Sequence, residues 1–261
     1  SDVTLITSDK NYTYAKNFPF IDQIILLKNN FISKLSLISK LRENEFNNVI
    51  IHDCKARSKI IAYFLKSKNK IIINHPERFS HIEIIKYILK KMNYLFYDES
   101  LNIFSHKKYQ INKDKILQLH FDEKWIHKKY IQKFINIEPN ENELYDFIEK
   151  INTKSKTKLI ITTGKNMPRI LQNILPKIHD LNIKVYEKLN FNELEKITSS
   201  NSLLISCHGA ISHIAAANKI PQIDIIDKSY NYKRWTDHFR NYHYIYRDSF
   251  ANLSKEILRF I

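Results

Sequence analysis

The 261-residue chain contains two glycines, where average usage near 7% would give roughly 18. That scarcity excludes the dinucleotide loop G-x-G-x-x-G, the Walker A loop and the G-x-S-x-G elbow, none of which two glycines can build. Collagen-like and glycine-rich linker readings fall with them. Cysteine is equally sparse. Cys54 and Cys207 lie far apart, each just after an apolar run, so no disulfide framework is expected and a reducing cytoplasm fits. Uninterrupted apolar runs are only a few residues long, against the roughly 18 needed to span a bilayer. No cationic start followed by an apolar stretch marks a signal peptide. The first residues are Ser-Asp-Val rather than Met, so a preceding N-terminal piece is expected.

What is present is ordinary globular material, 43% hydrophobic and 26% charged, enough for one large domain or two of about 130 residues. Lys and Arg number 42 against 27 Asp and Glu, a net charge of +15. Such a balance suits an anionic partner: a nucleic acid, a nucleotide or an acidic membrane face. A second reading stands beside it. Abundant Ile, Lys and Asn with scarce Gly, Ala and Pro is what AT-rich coding produces, with the charge spread over solvated faces.

Short β-branched runs alternate with stretches of helical period, the pattern of βαβ units and a parallel sheet. In the first half, strands are expected at Val3 to Thr7, Asp22 to Leu27, Val49 to His52 and Lys70 to Asn74. Helices are expected at Tyr12 to Asn17, Phe31 to Leu41, Ala56 to Lys66 and Ile82 to Met92. From Tyr94 to Lys115 the pattern weakens into a polar linker. The chain therefore divides into two α/β halves, residues 1–108 and 109–261. In the second, strands are expected at Ile116 to His120, Leu159 to Thr162, Ile183 to Tyr186, Ser202 to Ser206 and Gln222 to Ile226. Its helices fall at Glu141 to Ile151, Met167 to Ile178, Ile211 to Asn218 and Leu253 to Phe260, with Pro168 suited to a first turn.

In open parallel sheets ligands sit beyond the carboxyl ends of the strands, and here those ends are polar. Thr162, Thr163, Gly164 and Lys165 end a strand before a helix. Glycine there can take positive φ, and hydroxyls, a helix N-terminus and a lysine together make an anion site; an ordinary tight turn is the other reading. The strand Leu203 to Ser206 runs into Cys207, His208, Gly209 and Ala210, then a small-residue helix containing His213. Gly209 and Ala210 would let a phosphate approach amides at the helix start. His208 and His213 are five apart and need not share a face, so no metal site is expected. Asp122, Glu123, Lys124 and Trp125, followed by Lys128, form another strand end, in which a lysine can neutralise a diphosphate. In the first half, Asp53 is the most natural carboxylate base, with Asp9 its rival, and Lys55 and Arg57 could face an anionic acceptor. A helix-capping Asp with a basic first turn is the stronger reading of that segment on sequence alone.

Several segments resemble family 9 of the heptosyltransferase-like glycosyltransferases, a GT-B family. Phe18 to Ile25 (FPFIDQII) is similar to the family's N-P-Y-I-D-x-V, and Phe46 to Ser58 to its F-D-x-V-I-D motif closing on R-S. Trp125, Lys128 and Tyr130 to Phe134 resemble the start of the donor half, and Leu159 to Gly164 its next strand. His208 to Ala217 (HGAISHIAAA) resembles D-T-G-L-S-H-L-A-A-A, followed by Pro221. His208 and Gly209 thus stand where the family has Asp-Thr. The family's opening strand, with its catalytic Asp, precedes what the chain shows first.

The resemblance implies two Rossmann-like domains facing across a cleft: an acceptor half, and a half binding a nucleotide diphosphate sugar. Gly209, Ala210, Ile211 and His213 would lie along the donor diphosphate with Thr163 and Gly164, Lys124 or Lys128 would assist, and Glu187 would meet the ribose. His208 joins Asp53 as an expected catalytic residue. No cofactor is expected. The acceptor would be a glycan, a lipopolysaccharide or another lipid-linked saccharide, met at the cytoplasmic face of the inner membrane. Two other readings stand. Aromatics interleaved with cations from Tyr230 to Arg247 could stack nucleic-acid bases, although that segment reads better as the chain crossing over to a terminal helix. A nucleotide-sugar epimerase of the same fold would want more carboxylates.

Overall fold

The computed structural model describes residues 2–53, 55–74, 76–96, 115–155 and 157–261. Cys54, His75, most of the expected linker and the expected boundary at 108/109 lie outside the described residues. The chain forms two compact units. Unit 1 takes the described residues up to 96 together with 233–238, and unit 2 takes the others.

In unit 1, β1 (Thr4–Thr7) pairs in parallel with β2 (Gln23–Leu26), with α1 (Asp9–Ala15) connecting them. After α2 (Phe31–Leu41), β3 (Glu45–Ile51) pairs in parallel with β4 (Lys66–Ile72) through α3 (Ala56–Phe64). The four expected strands thus fall into two separate pairs. Leu37 and Leu41 of α2 pack with Ile61 and Leu65 beside α3. The helix expected over Ala56 to Lys66 stops at Phe64, and β4 starts four residues before the expected Lys70. Its first half, Lys-Ser-Lys-Asn-Lys, has no apolar pattern of its own; the register Glu45↔Lys66 with β3 draws it into the ladder. α4 (His81–Lys91) begins at Ser80, whose hydroxyl and backbone exchange bonds with Glu83 in a capping box, and ends on Lys90 and Lys91, the charge order the helix dipole favours. The short α9 (Lys233–Thr236) completes the unit, with Trp235 stacked on His81 at 3.9 Å.

Unit 2 is built on six parallel strands: β5 (Ile116–His120), β6 (Lys158–Thr162), β7 (Lys184–Tyr186), β8 (Leu203–Cys207), β9 (Gln222–Ile226) and β10 (Tyr242–Tyr246). Their order is β10-β9-β8-β5-β6-β7. The chain winds outward one way from β5 to β7, then returns and winds the other way from β8 to β10, which is the doubly wound dinucleotide-fold order. The connections are α5 (Glu141–Lys154), α6 (Arg169–Asp180), α7 (Phe191–Ser199) and α8 (Ala210–Ala217), and α10 (Phe250–Phe260) closes the chain. α7 and β10 were not expected. The sequence does carry a start signal for α7, because Asn190 and Glu193 form a capping box.

The inner strands are almost wholly buried, as a parallel sheet covered on both faces requires. One face is apolar: Leu117, Leu119, Leu159, Ile161, Ile205, Ile223 and Ile225 meet Leu144, Phe147, Ile148 and Leu253 from α5 and α10. The other face carries Gln118, His120, Thr162, Ser206 and Asp224, all buried. Buried polar side chains need partners, and theirs run toward one end of the sheet.

Candidate functional site

The winding reverses between β5 and β8, so their carboxyl ends flank the sheet's switch point, where such folds hold ligands. The loop after β5 is anchored by two buried rings, Phe121 and Trp125, stacked at 5.2 Å. The Trp125 indole N–H donates to the His120 carbonyl at 2.9 Å. Asn201 donates to Gln118 at 2.5 Å, and Gln118 donates to the Thr162 hydroxyl at 2.8 Å. That hydroxyl lies 2.9 Å from His120 Nδ1. The same oxygen accepts from Gln118, and on the other side of the ring His120 Nε2 faces Asp122, 3.4 Å away. Asp122 also accepts from the Lys124 amide at 3.0 Å and pairs with the Lys124 ammonium. Burial pushes the Asp122 carboxyl up, but His120 and Lys124 outweigh it and hold it at about 2. Burial likewise works against the Lys124 charge, and Asp122 and Glu123 reverse the effect, keeping it an ammonium. The loop therefore presents a locked, nearly buried cation.

Both glycines of the chain abut this loop. A Cβ on Gly164 would lie 2.7 Å from Glu123 Oε2 and 3.4 Å from Asp122 Cβ. One on Gly209 would lie 3.0 Å from both Cε and Nζ of Lys124. Neither glycine has positive φ, so the expectation of a left-handed turn at Gly164 is corrected. What each provides is close approach: β6 and β8 end against the Asp122–Lys124 loop with no side chain between.

Across the switch point, Gly209 caps α8. Its amide donates to the Ser212 hydroxyl at 3.2 Å, so it is not one of the amides open to a ligand. The Ser212 amide turns back to the Gly209 carbonyl at 3.1 Å. Ala210 and Ile211 then carry the remaining donors of the first turn. Ser212 donates to Asp224 at 2.9 Å, and the second Asp224 oxygen meets His208 Nδ1 at 2.6 Å and accepts from the Tyr242 hydroxyl at 3.1 Å. Asp224 is fully buried and holds the His208 ring through Nδ1, leaving Nε2 as the nitrogen turned to other partners. Tyr232 and His213 pack edge-on against that ring at 4.8 and 5.6 Å. Cys207 is buried, its thiol pushed up to about 12 by burial above all.

Reading the sequence missed Asp224 and Arg247. Arg247 donates to the carbonyls of Lys124 and Ile135 and lies 3.4 Å from the Cys207 sulfur, tying the β5 loop to the end of β8. Asp224 did leave a signal, a lone carboxylate inside the apolar strand Gln-Ile-Asp-Ile-Ile. Arg247 left none beyond the end of an aromatic strand.

A cavity of about 580 Å³ opens beside the locked lysine, within the range of small-molecule sites. Lys124, Lys165 and Lys188 supply positive charge, Ala210 and Ile211 bring the start of α8, and Leu189, Phe191 and Leu194 form an apolar wall. Lys188 sits at φ 54°, a strained conformation for a side-chain-bearing residue. Of the expected site residues, Lys124, Thr163, Gly164, Ala210 and Ile211 line this cavity. Gly209 adjoins it through Lys124. Lys128, His213, His208 and Glu187 are not among its lining residues, and Glu187 instead pairs with Lys188 at 3.6 Å.

Asp53, Lys55 and Arg57 belong to unit 1. Asp53 accepts from the Lys55 amide at 3.2 Å and the Ser58 hydroxyl at 3.0 Å, and Arg57 donates to Asn29 at 3.1 Å. In the aromatic and basic segment from Tyr230 to Arg247, Tyr232 and Arg247 are buried and Tyr242 is engaged with Asp224, whereas Tyr230, Tyr244 and Tyr246 are exposed. Among the described residues no three His, Cys, Asp or Glu gather as metal ligands.

No protein-family model matches the chain, and none of the curated proteins matches it. Solved structures do. The chain is similar to E. coli heptosyltransferase WaaC with ADP-2-deoxy-2-fluoro heptose, with a TM-score of 0.70 and 9% identity over 100% of this chain and 90% of that one. E. coli ADP-heptose LPS heptosyltransferase II gives 0.67 and 10% identity over 99% and 87%. The glycosyl transferase family 9 structure from Veillonella parvula DSM 2008 gives 0.64 and 13% identity over 100% and 81%. At such identities the likeness shows the fold, and the fold is the expected α/β class with two Rossmann-like halves.

Proposed function

We propose that the protein is a family 9 glycosyltransferase of the cytoplasm, moving a sugar from a nucleotide diphosphate sugar to a glycan or lipopolysaccharide-type acceptor. One observation carries the reading: a cavity at the β5/β8 switch point whose walls are a locked Lys124 ammonium and the first turn of α8. Phosphate oxygens are matched there by the Ala210 and Ile211 amides, the helix dipole and Lys124, with Lys165 and Lys188 at the rim. The apolar wall of Leu189, Phe191 and Leu194 suits a nucleobase.

In the proposed reaction the acceptor hydroxyl attacks the anomeric carbon, and the bond from that carbon to the diphosphate breaks. The leaving diphosphate gains charge as it departs. Lys124 and the α8 amides, already in place before the reaction, stabilise that charge more than the ground state, which is how preorganised donors accelerate a step. No metal is needed for that role. His208, held by Asp224, meets the donor where the family has Asp-Thr, and His213 and Gly209 keep α8 in position. Thr163 and Gly164 border the sugar, Glu187 meets the ribose once released from Lys188, and Lys128 assists from the β5 loop. Asp53 accepts the acceptor proton on a lone pair left open by Lys55 and Ser58, and Lys55 and Arg57 receive an anionic acceptor.

ADP is the first nucleotide to try, because the WaaC structure to which the chain is similar carries ADP-2-deoxy-2-fluoro heptose. Thermal melting with a panel of nucleotide diphosphates and single-stranded oligonucleotides tests the reading. Ligand at about a hundred times its Kd contributes roughly 2.7 kcal/mol, a rise of several degrees. The rise should shrink sharply in Lys124→Gln and His208→Gln. Salt-sensitive oligonucleotide binding without any nucleotide effect would replace this reading with the nucleic-acid one.

A further inference from the structure

α2 and α3 of unit 1 bury Leu37, Leu41, Ile61 and Leu65 in a shared core, yet both also carry large apolar side chains outside it. Phe31, Ile32 and Leu35 on α2, and Ile60, Tyr63 and Phe64 on α3, are between 50% and 79% exposed. A helix against a core normally turns polar residues to water, and soluble monomers rarely show contiguous apolar patches without a use for them. The charged side chains on the two helices themselves are all cations, with the Asp53 carboxylate at the start of α3 on the Ser58 hydroxyl. From Lys28 to Arg42 the chain has Lys28, Lys34, Lys40 and Arg42, and from Lys55 to Lys70 it has six more cations, with no Asp or Glu in either stretch. Lys70 folds back onto α3, its ammonium donating to the Tyr63 carbonyl at 3.1 Å. Among the described residues no helix is long and apolar enough to cross a membrane.

We infer that the outer face of α2 and α3 docks on a bilayer bearing anionic headgroups, its apolar side chains entering the interface while the surrounding lysines meet the headgroups. Aromatic and aliphatic residues ringed by lysine are the composition of helices that lie in a membrane surface. A second copy of the chain is the poorer occupant, because the same cations would face one another. An anionic bilayer complements both the charge and the apolar residues. The inference rests on this face alone and not on sugar transfer, so it is tested without nucleotide.

Co-sedimentation with phosphatidylcholine vesicles, with and without phosphatidylglycerol, reads it directly. The protein should pellet with the anionic vesicles, and binding should weaken by about tenfold or more without the anionic lipid or at high salt. Ile32→Glu with Tyr63→Glu should also reduce anionic-vesicle binding by about tenfold or more. Ile32→Ser with Tyr63→Ser should weaken it too, separating apolar insertion from added negative charge. Circular dichroism and nucleotide-induced melting shifts of these variants should match the parent. Vesicle binding unchanged in both double variants would mean adsorption by charge alone and overturn the inference. A dimer, seen by light scattering, that Ile32→Glu dissolves would assign the face to self-association instead.

Discussion

Asp122 and Lys124 are two residues apart, almost wholly buried and ion-paired, with His120 also holding the Asp122 carboxylate. Asp122→Asn leaves the ammonium unpaired, and breaking a buried pair costs about 3–5 kcal/mol; urea unfolding of the variant should show that loss. The pH dependence has a definite sign. The Asp122 carboxyl titrates at about 2 when folded, against an ordinary value of 3.8. The unfolded chain therefore binds its proton first, and the contribution is full above pH 4 and is lost as pH falls toward 2. In Asp122→Asn that portion of the acid unfolding should vanish. At this scale the sequence was half legible. The positions of Gly164, Gly209 and Lys124 could be read because each ends a strand. The reason for the glycines could not, since close approach to a loop some 40 or 85 residues earlier is a property of the folded sheet. Asp224 was hidden by the same non-locality: a carboxylate in an apolar strand reads as an anomaly until His208, Ser212 and Tyr242 converge on it.

Elements were legible where local rules govern them and obscure where pairing does. α4 and α5 carry their capping boxes in the sequence; α4 appears one residue from expectation at each end, and α5 starts where expected and runs three residues further. β4 begins in a run of lysines that only β3 orders, and β10 was concealed in a segment read for its aromatics and cations. The α4–α9 contact gives a prediction at this scale. Burial first, then the neighbouring His52, Arg234 and His238, lower the His81 imidazole from 6.5 to about 4. The unfolded chain takes up this proton below pH 6.5 while the folded unit resists it, so stability declines from pH 6.5 down to about 4 and then levels. NMR titration should place the His81 ring near 4. A normal histidine titration at that ring would show that Trp235 does not cover it.

For the whole molecule, the alternation of strands and helices was enough to expect two α/β halves, and the strand order of unit 2 then locates a ligand site without reference to any motif. The net charge of +15 is partly placed: Lys124, Lys165 and Lys188 line the cavity, and α2 and α3 carry cations and no carboxylate of their own. The claim that unit 2 receives a nucleotide diphosphate at the β5/β8 switch point has an unusually direct readout, because the chain has two glycines and both border that site. Protein labelled only with 15N-glycine gives two backbone amide signals. Titration with ADP and then other nucleotide diphosphates should move both signals in a saturable way, with the same Kd for each, while an oligonucleotide leaves them in place. Two signals that stay fixed through saturating concentrations of every nucleotide diphosphate would contradict the account.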